Sequence, residues 1–241
     1  MNLIRKIKKM IDKKASIDMD KEFFPLYEQC APYTLTSIER MYALYQAVKY
    51  VVQQQLDGDF VECGVWKGGS SMLMAATLNY LKCYTKKIYL YDTFEGMAKP
   101  TAQDIDYAGV NASVQLKNAE QNKKTNNIWA YCSLEDVKHN FEKINYPSEN
   151  LLFIKGKVED TIATNQHKVI SILRLDTDWY ESTYHEMVYL YPSLISKGVL
   201  IIDDYGHWQG ARGAIDKYCM ENKLPILLNR IDYTGRIAIK I

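Results

Sequence analysis

The chain has 241 residues, 47% hydrophobic and 24% charged, with 30 basic side chains against 29 acidic ones. That length fits one large domain or two small ones and can bury a core without disulfide or metal staples. The composition excludes a disordered, collagen-like or fibrous chain. The near-zero charge balance offers no global field for nucleic acid, and no apolar run reaches the 18 or so residues of a membrane span.

Residues 1–14 carry Arg5, Lys6, Lys8, Lys9, Lys13 and Lys14 against Asp12, with Leu3, Ile4, Ile7, Met10 and Ile11 at helical spacing. This reads as a basic amphipathic helix that packs on the body or a partner subunit, with membrane-surface contact as the alternative. The same stretch lacks the continuous apolar core of a signal peptide. A second helix is expected to open at Thr36 with Glu39 completing a capping box. Its apolar face is Ile38, Met41, Leu44, Tyr45, Val48, Val51 and Val52, and Asp57-Gly58 stops it.

From there short apolar strands alternate with helices. Strands are predicted over Phe60–Cys63, Ile88–Tyr91, Leu151–Ile154, Ile170–Leu175 and Val199–Ile202, and helices over Ser70–Leu81, Ser133–Ile144, Thr183–Leu194 and Ala211–Glu221. Ser133 with Asp136, and Thr183 with Glu186, read as cap pairs. Ile226–Leu228 and Ile237–Ile241 around Asp232–Gly235 read as a closing hairpin. This alternation implies an α/β fold, a doubly wound, mostly parallel sheet with an antiparallel ending. Residues 96–128 fit neither period. A connection of that length leaving a strand end is expected to be a lid, set within a main domain, 58–241, that follows an N-terminal helical segment, 1–57.

Cys30, Cys63, Cys83, Cys132 and Cys219 are odd in number and scattered without a C-x-x-C pair, and there are four histidines. A disulfide framework or zinc cluster is therefore not expected, and a reducing cytoplasm is.

Ligands of such sheets bind beyond the carboxyl ends of the strands. The first strand ends in Glu62-Cys-Gly64-Val65-Trp66-Lys-Gly68-Gly69-Ser70-Ser71 and leads into a helix. Glycines let a ligand approach this turn, and the helix start offers unpaired N–H groups to an anion. The spacing matches neither the dinucleotide fingerprint nor the P-loop. It suits a smaller zwitterion whose carboxylate faces the helix and whose cation lies near Glu62; a tight turn with an ion-paired glutamate is the plainer reading. Asp92, followed by Thr93, stands where an acid accepts ribose hydroxyls, or simply caps a turn. Glu159 is either an adenine contact or an N-cap.

The strongest constellation is acidic: Asp176 and Asp178 follow one aliphatic strand, and Asp203 and Asp204 follow another. If those strands are neighbours, Asp176, Asp203 and Asp204 converge. Close carboxylates repel unless a cation joins them, and an all-oxygen set suits Mg²⁺, with Ca²⁺ or Mn²⁺ as alternatives to it. Water-facing loop caps are the plainer reading. Trp66, Trp179 and Trp208 fall at the same edge, either packed or stacked on a ligand, and His207 reads as a hydrogen-bonded loop residue.

Leu173–Thr183, Gly198–Arg212, Phe60–Ser71 and Tyr91–Met97 together resemble the macrocin/mycinamicin O-methyltransferase family, in register from about Thr36 to the C-terminus. The resemblance implies a seven-stranded class I, Rossmann-like fold and Mg²⁺-dependent transfer of a methyl group from S-adenosylmethionine to a sugar hydroxyl of a glycosylated natural product or surface glycan. It implies Asp176, Asp203 and Asp204 as metal ligands, Asp178 as base with Asp176 beside it, and Glu62, Gly64, Val65, Ser70, Ser71, Asp92, Thr93, Glu159 and Asp176 around the donor. A homo-oligomer is expected. Two other classes compete: a nicotinamide-dependent oxidoreductase, against which the missing fingerprint speaks, and a non-catalytic assembly protein built on the N-terminal helix.

Overall fold

The computed structural model describes residues 18–165 and 167–241; the helix expected over 1–14 lies outside them. Helices α1 (Phe23–Cys30) and α2 (Ile38–Gln53) precede the first strand. The rest of the order is β1 (Asp59–Cys63), α3 (Gly69–Tyr80), β2 (Ile88–Asp92), α4 (Ala112–Asn118), α5 (Leu134–Phe141), β3 (Leu151–Lys155), α6 (Val158–Thr161), β4 (Ile170–Leu175), α7 (Tyr180–Tyr189), β5 (Leu194–Ile202), α8 (Gln209–Glu221), β6 (Asn229–Arg230) and β7 (Arg236–Ile239). The seven strands form one sheet in the order β3-β2-β1-β4-β5-β7-β6. β1 to β5 pair in parallel, and β7 pairs antiparallel with both β5 and β6. The expected doubly wound sheet with an antiparallel ending is what forms.

Strand alternation explains how both faces are covered. Phe60, Ile88, Leu90, Ile172, Val199 and Ile201 pack with α1, α2, α3 and α5, whereas Val61, Tyr91, Leu173, Leu175, Leu200 and Ile202 pack with α6, α7 and α8. Successive residues point to opposite faces and both faces are apolar, so the strands read as continuous aliphatic runs.

Five local expectations are corrected. α2 is capped by Ser37, whose Oγ accepts from Arg40 N at 3.2 Å, so the cap stands one residue later than Thr36. α7 starts at Tyr180, which puts Thr183 and Glu186 inside the helix, both buried, and β5 starts at Leu194, five residues before Val199. The β6 strand is two residues long and lies just past Ile226–Leu228. The 96–128 segment includes α4, capped by Asn111 Oδ1 on Ser113 N at 2.8 Å; seven residues are too few to show a helical period. The Ser133 cap holds, with Oγ accepting from Asp136 N at 3.1 Å.

The registers Cys63↔Leu175 and Leu175↔Ile202 bring the carboxyl ends of β1, β4 and β5 level. The ladder continues one step beyond them: Asp176 N donates to Cys63 O at 2.8 Å and Asp203 N to Leu175 O at 2.9 Å. The chain reverses its winding direction between β1 and β4, and a crevice opens at that switch point.

Candidate active site

A cavity of about 390 Å³ occupies this crevice. The turn after β1 forms one wall. Gly64 has φ +85°, and a Cβ on it would stand 1.9 Å from Asp176 O, so only glycine allows β1 and β4 to end so close together. Asp92 organises the same turn: Oδ2 accepts from Val65 N at 2.6 Å and Trp66 N at 3.0 Å, and Oδ1 accepts from Phe94 N at 2.7 Å. Burial outweighs these bonds and pushes its carboxyl above the usual range. Gly64, Val65, Ser70, Asp92, Thr93 and Glu159 all line the cavity.

Glu62 and Ser71 do not. Glu62 is 1% exposed, and its oxygens accept from Arg174 Nη1 at 2.5 Å and from Ser71 Oγ. It stands behind the wall, paired with Arg174, as the plainer reading of a tight turn with an ion-paired glutamate has it.

The acidic residues do converge. One carboxylate oxygen each from Asp176, Asp203 and Asp204 lies within 4.8 Å of the others, on the cavity surface. Asp178, in the left-handed conformation at φ +67°, donates its N–H to Asp204 Oδ2 at 3.2 Å, which places its carboxyl beside the trio.

Two arginines meet this charge, and neither was singled out in the sequence. Arg174, 2% exposed, donates from Nη1 to Asp176 Oδ2 at 2.7 Å, and from Nη2 to Asp203 Oδ1 at 2.6 Å and Thr36 Oγ1 at 3.1 Å. Arg40 of α2 pairs with Asp203 through Nη1 and with Asp232 through Nε at 3.0 Å. A charged residue in the middle of an aliphatic strand was the available signal for Arg174, because an arginine is fully buried only when paired. Arg40 carried none, since its partners lie 163 and 192 residues away.

Two guanidinium groups do not balance the six carboxyls of Glu62, Asp176, Asp178, Asp203, Asp204 and Asp232. Asp176 is held well above the carboxylate range by burial and then by Asp203 and Asp204, and Asp204 by burial and then by Asp178 and Asp203, while Asp178 is pushed up to about 7 by burial and Asp176. The donor set therefore fits a further positive charge. It is all oxygen and sits where a ligand can reach it, as a hard divalent cation requires.

Trp179 and Trp208, both 3% exposed, meet edge-to-face at 4.9 Å, and Trp179 Nε1 donates to Ala98 O at 3.0 Å. Trp179 is a packing residue that ties the 96–128 segment to the site. Trp66 and Trp208 also line the cavity. The five cysteines form no disulfide. Among the described residues no helix is long and apolar enough to cross a membrane.

The sequence profile of the macrocin-O-methyltransferase (TylF) family matches residues 4–238. The chain is 31% identical over 203 residues to the demethyldecarbamoylnovobiocin O-methyltransferase of Streptomyces niveus, covering 84% of this chain and 74% of that one. It is 30% identical, over the same length and shares, to the 8-demethyl-8-(2,3-dimethoxy-alpha-L-rhamnosyl)-tetracenomycin-C 4'-O-methyltransferase of Streptomyces olivaceus. The fold superposes on the O-methyltransferase NovP with a TM-score of 0.74 at 28% identity, over 86% of this chain and 82% of that one. At 9% identity, the Podospora anserina methyltransferase PaMTH1, solved with S-adenosylhomocysteine bound, shares the fold alone, with a TM-score of 0.58 over 100% and 98% of the two chains. With its class I methyltransferase sheet and an acidic cluster at the switch point, the chain belongs to the TylF macrocin-O-methyltransferase family and is an O-methyltransferase.

Proposed function

We propose that this enzyme methylates a sugar hydroxyl, using S-adenosylmethionine as donor and Mg²⁺ as cofactor. One observation carries the reading: three carboxylate oxygens of Asp176, Asp203 and Asp204 within 4.8 Å of one another, in the cavity that also holds Asp178. Relatives named for methylating novobiocin and rhamnosyl-tetracenomycin precursors support the sugar.

The wall formed by Gly64, Val65 and Ser70 at the start of α3 faces the donor's amino-acid end, where unpaired N–H groups favour a carboxylate. Asp92 and Thr93 would hold the ribose, and Glu159 the base. The donor, when bound, would supply an electrophilic methyl group, and a divalent cation, which Asp176, Asp203 and Asp204 would hold, would make a neighbouring sugar hydroxyl more acidic. Arg174 and Arg40 orient these carboxylates by fixing Asp176 and Asp203 from behind. Asp178 takes the hydroxyl proton as the new carbon–oxygen bond forms and the carbon–sulfur bond breaks, leaving a methyl ether and S-adenosylhomocysteine. Its raised pKa suits a base at neutral pH. The 96–128 segment, tied down through Ala98 O, serves as the lid that excludes water.

The direct test incubates the full chain with labelled donor, Mg²⁺ and a panel of glycosides and sugar nucleotides. A labelled methyl ether that disappears in excess EDTA is the expected result. Equal turnover in EDTA contradicts the metal, and transfer only to non-sugar hydroxyls contradicts the acceptor.

A further inference from the structure

Beyond the acidic cluster the cavity wall ends in an aromatic rim that the methyl-transfer chemistry does not need. Tyr107 is 69% exposed and Tyr233 54%. Their rings stand 6.2 Å apart, and His207 lies edge-on to both, at 5.3 Å from Tyr107 and 6.0 Å from Tyr233. His207 Nδ1 and Tyr233 Oη are 3.1 Å apart. Three exposed or half-exposed rings gathered at one place are uncommon on a surface that binds nothing.

The rim is built rather than incidental. Asp106 Oδ1 accepts from Ala108 N and Val110 N, each at 2.9 Å, and Oδ2 accepts from Gln115 Nε2 at 2.8 Å. Gly109, at φ +88°, closes this turn, and Asp106 bridges to Trp208. Tyr107 is thus displayed at the tip of a short, internally bonded loop. The loop backbone that carries the ring is held before a ligand arrives and does not have to be ordered on binding.

His207 lines both the main cavity and a second concavity of about 390 Å³, so the two lie on either side of its ring. Tyr107, Gln209, Arg212 and Asp216 line the second one. Arg212 uses Nε on Tyr205 O at 3.1 Å, and Asp216 uses Oδ1 on the Tyr205 hydroxyl at 2.7 Å. Neither forms a salt bridge among the described residues. The Nη groups of one and Oδ2 of the other are therefore available for hydroxyl groups.

We infer that this concavity is a second acceptor subsite, which binds the sugar ring next to the one that is methylated. The flat face of Tyr107 covers the C–H face of a pyranose, while the neighbouring Arg212, Asp216 and Gln209 bind its hydroxyls. A flat aromatic aglycone would use the Tyr107 ring and could stack on Arg212, but would give the Asp216 carboxylate and the Gln209 amide no hydroxyl to bind. The acceptor is thus an oligosaccharide or a glycoside with at least two sugars. This inference rests on the sugar-acceptor reading above.

The test is calorimetric titration of the full chain, with Mg²⁺ and S-adenosylhomocysteine present, against methyl monoglycosides, the matching methyl disaccharides and p-nitrophenyl monoglycosides. The disaccharide is expected to bind about tenfold more tightly than its monosaccharide, the order of one good aromatic contact with its hydrogen bonds. Tyr107→Ala is expected to erase that advantage, Tyr107→Phe to keep it, and neither to move S-adenosylhomocysteine affinity. Equal affinity for mono- and disaccharide, an advantage that survives Tyr107→Ala, or a p-nitrophenyl gain as large as the disaccharide's overturns the subsite. If no glycoside binds while S-adenosylhomocysteine still does, the sugar-acceptor reading falls, and the subsite falls with it.

Discussion

Arg174 and Asp203 form a buried pair across neighbouring parallel strands, Nη2 to Oδ1 at 2.6 Å, with side chains 2% and 5% exposed. The same guanidinium reaches Glu62 of β1 and Asp176 at the end of β4. One side chain therefore holds level the three strand ends that make the crevice floor. An ion pair so deep is weak evidence for stability in itself, but removing one partner leaves the others buried and uncompensated.

Replacing Arg174 by Met is therefore expected to lower unfolding free energy by about 3–5 kcal/mol. Arg174→Lys is expected to recover only part, because one ammonium cannot bridge Glu62, Asp176 and Asp203 together. Urea denaturation checks both, and a loss under about 1 kcal/mol for Met sinks the argument.

Asp232 ties α2 to the C-terminal hairpin. It accepts from Ser37 Oγ at 2.8 Å, Arg40 Nε at 3.0 Å, Thr234 N at 2.9 Å and Gly235 N at 2.7 Å. Backbone donors and Arg40 hold its carboxyl below the usual range against the effect of burial. Asp232→Ala is expected to destabilise the fold by about 2–3 kcal/mol and to weaken metal-induced stabilisation through Arg40 and Asp203. Unchanged thermal stability with and without Mg²⁺ would show that this anchor is dispensable.

The acidic cluster makes a prediction about pH. Asp178 has a folded pKa of about 7, above the ordinary 3.8, so between about pH 4 and 7 the folded protein binds a proton that the unfolded chain has lost. Stability from this group is complete below that window and declines as pH rises through it. In EDTA, thermal unfolding of wild type is expected to fall more steeply from pH 5 to pH 8 than that of Asp178→Asn, which stays neutral throughout. Parallel profiles count against a raised pKa.

Function gives the fourth. Asp178→Asn is expected to lower kcat by about 10²–10⁴-fold, the ordinary contribution of a general base, with S-adenosylhomocysteine affinity within about twofold. Asp176→Asn or Asp204→Asn is expected instead to abolish the Mg²⁺-induced rise in melting temperature. If all three variants behave alike in both assays, base and ligands have not been told apart correctly.

Periodicity is local, and so were the features legible without coordinates. Alternating aliphatic strands and helices specified the doubly wound sheet, and Asp176, Asp178, Asp203 and Asp204 stood out because strand ends of such a sheet are where ligands bind. The Glu62–Ser71 turn was legible as a turn, but its direction was not: Glu62 points behind the wall to Arg174.

What only the tertiary structure decided was which cations meet these acids. The pairs Arg174–Glu62 and Arg40–Asp203 join residues 112 and 163 positions apart, and each depends on register and on how α2 crosses the sheet. No short-range pattern encodes such a contact, because a one-residue slip in pairing would send the same side chain to the opposite face. The chain's own residue order dictated the sheet and the place of the carboxylates; packing dictated that two guanidiniums, buried Arg174 and partly buried Arg40, hold them.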